Sequence, residues 1–301
     1  MAQQELEHTA RALVAEGKGI LAADETVPTL TKRFDALKIA STENSRRTYR
    51  EMFFTTPDVS AFISGVILQD ETIRQKNTAG IPLTKVLSEQ GIIPGIKVDT
   101  GAKVLAGSPE EKITEGLDGL RDRLKEYAVM GARFAKWRAV IRITDTLPSP
   151  MCLNVNAHAL ARYAALCQEQ GIVPIVEPEV LMDGSHTIER CEHVTSSILH
   201  AVFHALFEQC VGLERMLLKP NMVIAGKDFP KKAAVEQVAT ATLRCLRRHV
   251  PAAVPGIVFL SGGQSDVLAT AHLNAINTLD QPKPWKISFS YGRAQIGRAH
   301  V

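Results

Sequence analysis

Eight short apolar runs rich in β-branched residues recur along the chain, and their alternation with longer amphipathic stretches narrows the folds open to it. The runs are KGILAAD (18–24), FISGVILQD (62–70), IIPGIKVD (92–99), FAKWRAVI (134–141), IVPIVEPE (172–179), RMLLKPNM (215–222), GIVFLSGG (256–263) and ISFSYGR (287–293). Segments such as GLDGLRDRLKEYAVMG and NVNAHALARYAALCQEQG lie between them; their apolar residues fall three and four apart and they close on glycine, as amphipathic helices do. Eight strands alternating with helices in 301 residues predict an α/β fold, a closed (β/α)8 TIM barrel. A doubly wound open sheet is the alternative use of the same pattern. No linker, low-complexity tract or shift in composition divides the chain, so residues 1–301 are expected to form a single barrel domain.

Composition narrows the classes of partner. Hydrophobic residues make up 45% of the chain, ordinary for a soluble globular protein that buries a large core. No run reaches the roughly 18 apolar residues of a membrane span. The opening MAQQELEHTARALVAEGKG is polar and amphipathic where a secretory leader would be apolar. A net charge of +3 with both signs scattered leaves no nucleic-acid footprint. The five cysteines (Cys152, Cys167, Cys191, Cys210 and Cys245) are odd in number and include no C-x-x-C pair, the usage of reduced cytosolic thiols. A cytoplasmic protein is expected, with neither membrane nor nucleic acid as partner.

At their C-terminal ends the runs supply Asp24, Asp70 with Glu71, Lys97, Lys136, Glu177 with Glu179, Lys219, Ser261 and Arg293. In a parallel barrel these ends converge on the face where barrel enzymes place their chemistry. One charged strand end marks only a solvated loop start; a set drawn from every strand predicts an active site. Lys219 is the sharpest member, because it stands inside the apolar LLKPNMV (217–223), and an unpaired buried ammonium is costly. Neighbouring cations and low dielectric disfavour an ammonium, so a lysine in such a place can act as a free amine and attack a carbonyl. Lys136 and Lys219 are the candidates; buried ion pairs with Glu177 or Asp24 are the alternative reading. The carboxylates would carry the proton transfers.

LSGGQS (260–265) places two glycines between a strand and a helix, a turn that can offer backbone amides to a phosphate. With Lys97, Arg138 and Arg293 it points to an anionic, phosphorylated substrate. GKGILA (17–22) lacks the third glycine of a dinucleotide fingerprint, and no P-loop occurs. His200 and His204 have helical spacing but no H-E-x-x-H context, so no metal site is expected there.

GKGILAADE, GIKVD, FAKWR, ARYA, GIVPIVEPE, LLKPNMV, FLSGGQS, LNAIN and FSYGRA follow one another from about residue 5 to residue 294. In this order the chain closely resembles the class I fructose-bisphosphate aldolases, the metal-independent type that needs no cofactor. The resemblance implies that Lys219 forms a Schiff base with the C2 ketone of fructose 1,6-bisphosphate or dihydroxyacetone phosphate. It implies Glu177 as general acid/base with Glu179 nearby, Asp24 as acceptor of the C4 hydroxyl proton, and Lys136 as the cation that positions Asp24 and acts electrostatically on Lys219. Ser261, Gly262, Gly263, Ser290 and Arg293 correspond to a C1-phosphate site, and Arg33, Lys97 and Arg138 to the other phosphate and the hydroxyls. The implied reaction is reversible aldol cleavage in glycolysis or gluconeogenesis. The implied partners are sugar phosphates and, for a full-length chain, three further copies in a homotetramer.

Three departures from that pattern stand out. The family commonly reads S-T-G-S after AADE, whereas this chain has Thr26, Val27, Pro28 and Thr29, so a valine and a proline replace a flexible turn. Thr100 stands after GIKVD where the family usually has lysine. The chain stops eight residues after Arg293, and IGRAHV (296–301) looks like translated adapter sequence, not family sequence. A truncated chain lacking the last barrel helix is therefore expected, with an apolar stripe uncovered beside the first and last strands. The alternatives in function are a Schiff-base aldolase for another sugar phosphate, with the difference lodged in ETVPT, and a non-catalytic binding protein on an aldolase-like barrel.

Overall fold

The computed structural model describes residues 2–292. Its strands are β1 (Gly19–Ala22), β2 (Ile63–Leu68), β3 (Ile93–Lys97), β4 (Gly101–Leu105), β5 (Ser108–Glu115), β6 (Phe134–Ile141), β7 (Val173–Val180), β8 (Leu217–Leu218), β9 (Gly256–Phe259) and β10 (Lys286–Tyr291). Eight of these close into a parallel barrel in the order β1-β10-β9-β8-β7-β6-β3-β2, which excludes the open sheet. β4 and β5 pair only with each other, as an antiparallel hairpin that the sequence reading missed.

The helices are α1 (Ala2–Leu13), α2 (Val27–Ala36), α3 (Glu43–Phe54), α4 (Val59–Phe62), α5 (Asp70–Arg74), α6 (Leu83–Ser88), α7 (Leu120–Val129), α8 (Pro150–Glu169), α9 (Ile188–Glu208), α10 (Val235–His249) and α11 (Asp266–Thr278). Their ends follow local chemistry. The side chains of Ser149, Thr187 and Ser265 accept hydrogen bonds from first-turn amides of α8, α9 and α11, and Pro150 sits in the first turn of α8, where no donor is needed. Gly171 takes a positive φ of 69° just past α8, the left-handed stop that glycine reaches without strain.

Side chains divide along each strand with period two. Ile20, Ile67, Phe134, Val173, Ile175, Leu217 and Val258 form one buried cluster inside the barrel, while Leu21, Val66, Ala135, Val176, Leu218 and Ile257, one residue away, belong to the layer packed under the helices. Helix α1 closes the bottom by adding Leu6, Ala10 and Leu13 to the inner cluster, with Val14 just past its end. The Phe134 ring lies where a Cβ on Gly95 would come within 2.3 Å, so the glycine makes room for the ring. β8 is shorter than its 215–222 run because Pro220 cannot donate to a ladder. The chain there stays in register through Lys219 N–H donating to the Val176 carbonyl at 2.8 Å.

Candidate active site

The strand ends open into a cavity of about 650 Å³ at the C-terminal face of the barrel. Asp24, Arg33, Lys97, Lys136, Arg138, Glu177, Glu179, Lys219, Ser261, Gly262, Gly263 and Ser290 all line it. Arg293 and the suspected tail 296–301 lie outside the described residues, as does the stretch where a last helix would follow β10. Asp70 and Glu71 do not line the cavity. β2 ends at Leu68 and the chain turns at once into α5, where Asp70 pairs with Arg74 and Glu71 with Arg46.

Register explains how the cluster forms. Lys97 and Lys136 are cross-strand partners on β3 and β6, and Arg138 stands opposite Glu177 on β7. Stepping up the inner face of β6 gives Phe134, Lys136, Arg138; β7 gives Val173, Ile175, Glu177, Glu179; β8 leads from Leu217 to Lys219. Each strand turns from apolar to charged at the same level.

The charges are paired. Lys136 Nζ lies 2.6 Å from Asp24 Oδ2 and 3.3 Å from Glu177 Oε2, while Lys219 Nζ lies 3.3 Å from Glu177 Oε1. Glu177 therefore stands between the two lysines, all three side chains being about 4% exposed. Arg138 pairs with Glu179, and Lys97 with Asp99, whose backbone carbonyl also accepts from Lys97 at 2.9 Å. Burial opposes the charge on Lys136, but Asp24 and then Glu177 outweigh it and raise its pKa well above that of an ordinary lysine. Burial likewise opposes ionisation of Asp24 and Glu177, and Lys136 followed by Lys219 overcomes it, so both carboxyls titrate below their usual range. Lys136 is thus held as a cation between two carboxylates. The buried ion pairs with Asp24 and Glu177, named as the alternative reading of these two lysines, are present.

At the far wall, Gly262 and Gly263 have φ values of 58° and 86° and line the cavity before α11, backbone that suits an anion. Ser290 is buried, and its hydroxyl has no hydrogen-bond partner among the described residues. On the near wall the departing loop is the first turn of α2: Thr26 and Thr29 join hydroxyls at 3.0 Å, and Pro28 occupies the helix start. Thr26, Thr29 and Arg33 fall on one helix face toward the cavity. Lining residues that the sequence did not mark include Glu25, Met182, Asp183 and Lys227. Glu25 was within sight, since it ends the motif AADE, but Asp183 and Lys227 sit in loops with no local pattern to mark them.

The family model for fructose-bisphosphate aldolase class-I matches residues 5–298. The chain belongs to the class I fructose-bisphosphate aldolases. Within that family it is 59% identical over 294 residues to the probable fructose-bisphosphate aldolase class 1 of Xylella fastidiosa (strain 9a5c), an alignment covering 98% of this chain and 88% of the relative. It is 54% identical to fructose-bisphosphate aldolase B of Bos taurus, over 96% of this chain and 80% of the relative. The ternary co-crystal structure of the Plasmodium falciparum aldolase with TRAP and a small molecule inhibitor superposes with a TM-score of 0.96 at 51% identity, covering 99% of this chain and 86% of that one. As a class I aldolase the chain is a carbon–carbon lyase on a TIM barrel.

Proposed function

We propose that this chain catalyses reversible cleavage of fructose 1,6-bisphosphate to dihydroxyacetone phosphate and glyceraldehyde 3-phosphate, with Lys219 as the Schiff-base lysine. The observation that carries this reading is the placement of Glu177 at 3.3 Å from both Lys219 and Lys136, while Asp24 takes the remaining bond of Lys136. One lysine is locked as a cation and the other is left with a single shared carboxylate.

Lys219 passes a proton to Glu177 across their 3.3 Å contact and its free amine adds to the C2 carbonyl; Glu177 then gives that proton to the carbinolamine hydroxyl, which leaves as water. The resulting iminium withdraws electrons from C3. The C3–C4 bond then breaks as the C4 hydroxyl gives its proton to Asp24, which Lys136 holds in the ionised form at 2.6 Å. The enamine takes up at C3 the proton that Asp24 accepted, and water hydrolyses the iminium to release dihydroxyacetone phosphate and free Lys219. Ser261, Gly262, Gly263, Ser290 and Arg293 hold the C1 phosphate in this reading; Arg33, Lys97 and Arg138 hold the other phosphate and the hydroxyls.

The chain works as one barrel domain, in the cytoplasm, on the glycolytic and gluconeogenic interconversion, and associates as a homotetramer. Val129 and Phe207 are 86% and 80% exposed and offer apolar surface for such contacts; light scattering on the purified protein checks the copy number. Borohydride reduction with dihydroxyacetone phosphate, followed by peptide mapping, tests the chemistry. A reduced adduct on Lys219 supports it, and a folded protein without an adduct overturns it.

A further inference from the structure

Arg33 and Arg50 share one carboxylate, and they hold it very differently. Glu25, one residue beyond Asp24, has a side chain only 9% exposed. Its Oε1 meets Arg33 Nη1 at 2.5 Å, and its Oε2 lies 3.2 Å from Arg50 Nη2. Arg33, on the cavity side of α2, is 30% exposed; Arg50, on the inner face of α3, is 2% exposed. Arg50 is anchored twice more, Nη1 donating to Thr72 Oγ1 at 2.8 Å and Nη2 to the backbone carbonyl of Glu25 at 2.9 Å. It ties the end of β1 to α5, just beyond β2, and fixes the residue before Thr26, at which α2 begins.

The charge count gives this arrangement a use. A buried carboxylate stripped of its cation is strongly disfavoured. Were Arg33 the sole partner of Glu25, an incoming phosphate could draw Arg33 away only by stranding that carboxylate. With Arg50 in place the carboxylate stays paired one to one, and Arg33 is the surplus cation at the cavity edge. Fork-shaped guanidinium pairing with a phosphate then gives Arg33 a stronger partner than the one it leaves.

We propose that Glu25 and Arg50 are positioning residues that hold Arg33 ready for the second phosphate of the substrate and keep Glu25 compensated once Arg33 has moved onto it. The proposal rests on reading the cavity as a bisphosphate site. It gives the buried arginine of α3 a role in selecting bisphosphates over monophosphates.

The test compares KM for fructose 1,6-bisphosphate with KM for fructose 1-phosphate, which lacks the second phosphate. Glu25→Gln should raise the bisphosphate-to-monophosphate KM ratio about tenfold, and Arg33→Ala at least as much, as loss of one charge-assisted phosphate contact does. In the Arg33→Ala background, Glu25→Gln should add nothing, because Glu25 acts through Arg33. Equal weakening of both substrates, or additive effects in the double variant, overturns the proposal. Should Glu25→Gln fail to fold by circular dichroism, Thr72→Val decides: it removes one anchor of Arg50 and should raise the ratio about threefold. An unchanged ratio in folded Thr72→Val overturns the proposal. Borohydride trapping of dihydroxyacetone phosphate is run on every variant, since its loss in the wild-type protein would instead break the underlying bisphosphate-aldolase reading.

Discussion

The lower half of the barrel interior is dry. Phe134, Val173, Ile175 and Leu217 pack there with Ile20, Ile67 and Val258 over the plug of α1. One step up the same strands, Lys136, Glu177 and Lys219 are just as buried and carry full charges. Backbone, strand and solvent access barely differ between the two layers; what differs is how each side chain is compensated. In the floor every residue is satisfied by contact with any apolar neighbour of fitting shape. In the rim the most deeply buried charges depend on particular partners from other strands: Lys136 on Asp24 at the end of β1 and on Glu177 of β7, and Lys219 on Glu177. Shape tolerates substitution by degrees, whereas a lost partner leaves a charge exposed to the full cost of burial.

The largest expected effect sits in the rim. Lys219→Met should abolish borohydride trapping and cut turnover by about 10⁴-fold or more, as removal of a covalent nucleophile does. Retained trapping would move the nucleophile elsewhere and erase the functional contrast between the layers. Phe134→Ala comes next and attacks the floor. It opens a void beneath Lys136 beside Gly65 and Gly95 and should cost about 3–5 kcal/mol of stability, read as a lower denaturant midpoint. A loss below about 1 kcal/mol would mean the floor is not packed as a unit.

The third effect is on pH. Asp24 and Glu177 have folded pKa values below their ordinary 3.8 and 4.5, because Lys136 and Lys219 outweigh burial. Their contribution to stability is complete above those ordinary values, declines as the pH falls below them, and is gone beneath the depressed folded values. The gap in denaturant midpoint between wild type and Asp24→Asn should therefore narrow as the pH is lowered from about 6 to 3, without closing at pH 3. A constant gap across that range would show that Asp24 is not ionised by its lysine. The smallest effect belongs to Ser290. Its hydroxyl bonds nothing among the described residues, so Ser290→Ala should leave stability within about 0.5 kcal/mol while raising KM about fivefold. A marked loss of stability would mean the hydroxyl supports the fold and not the ligand.

Much of this was legible along the chain. FAKWRAVI matches β6 residue for residue, because alternation and β-branching mark a buried parallel strand locally. Lys136, Glu177 and Lys219 announced themselves as charges inside apolar runs. The β4–β5 hairpin gave no such sign: GAKVLAGSPEEKITE faces largely outward and has no apolar face to alternate. Asp70 and Glu71 were misplaced because the expected strand ran two residues past the real end of β2, and at a strand end two residues separate the barrel mouth from a helix start. Arg50 was invisible in ENSRRTYREMFF, where a row of charges reads as a solvated helix face although Arg46 and Arg50 point inward.

The sequence by itself determined where the eight barrel strands fall, to within a few residues of their ends, and that charge gathers at their C-terminal ends, because hydrophobic periodicity is a local property read within a few neighbours. Only the closed barrel decided that Glu177 stands between Lys136 and Lys219, that Asp24 takes Lys136, and that Glu25 is shared by Arg33 and Arg50. These pairings join residues up to 112 positions apart. Coulomb interaction depends on separation in space and on how much water lies between, and neither is specified until the last strand meets the first.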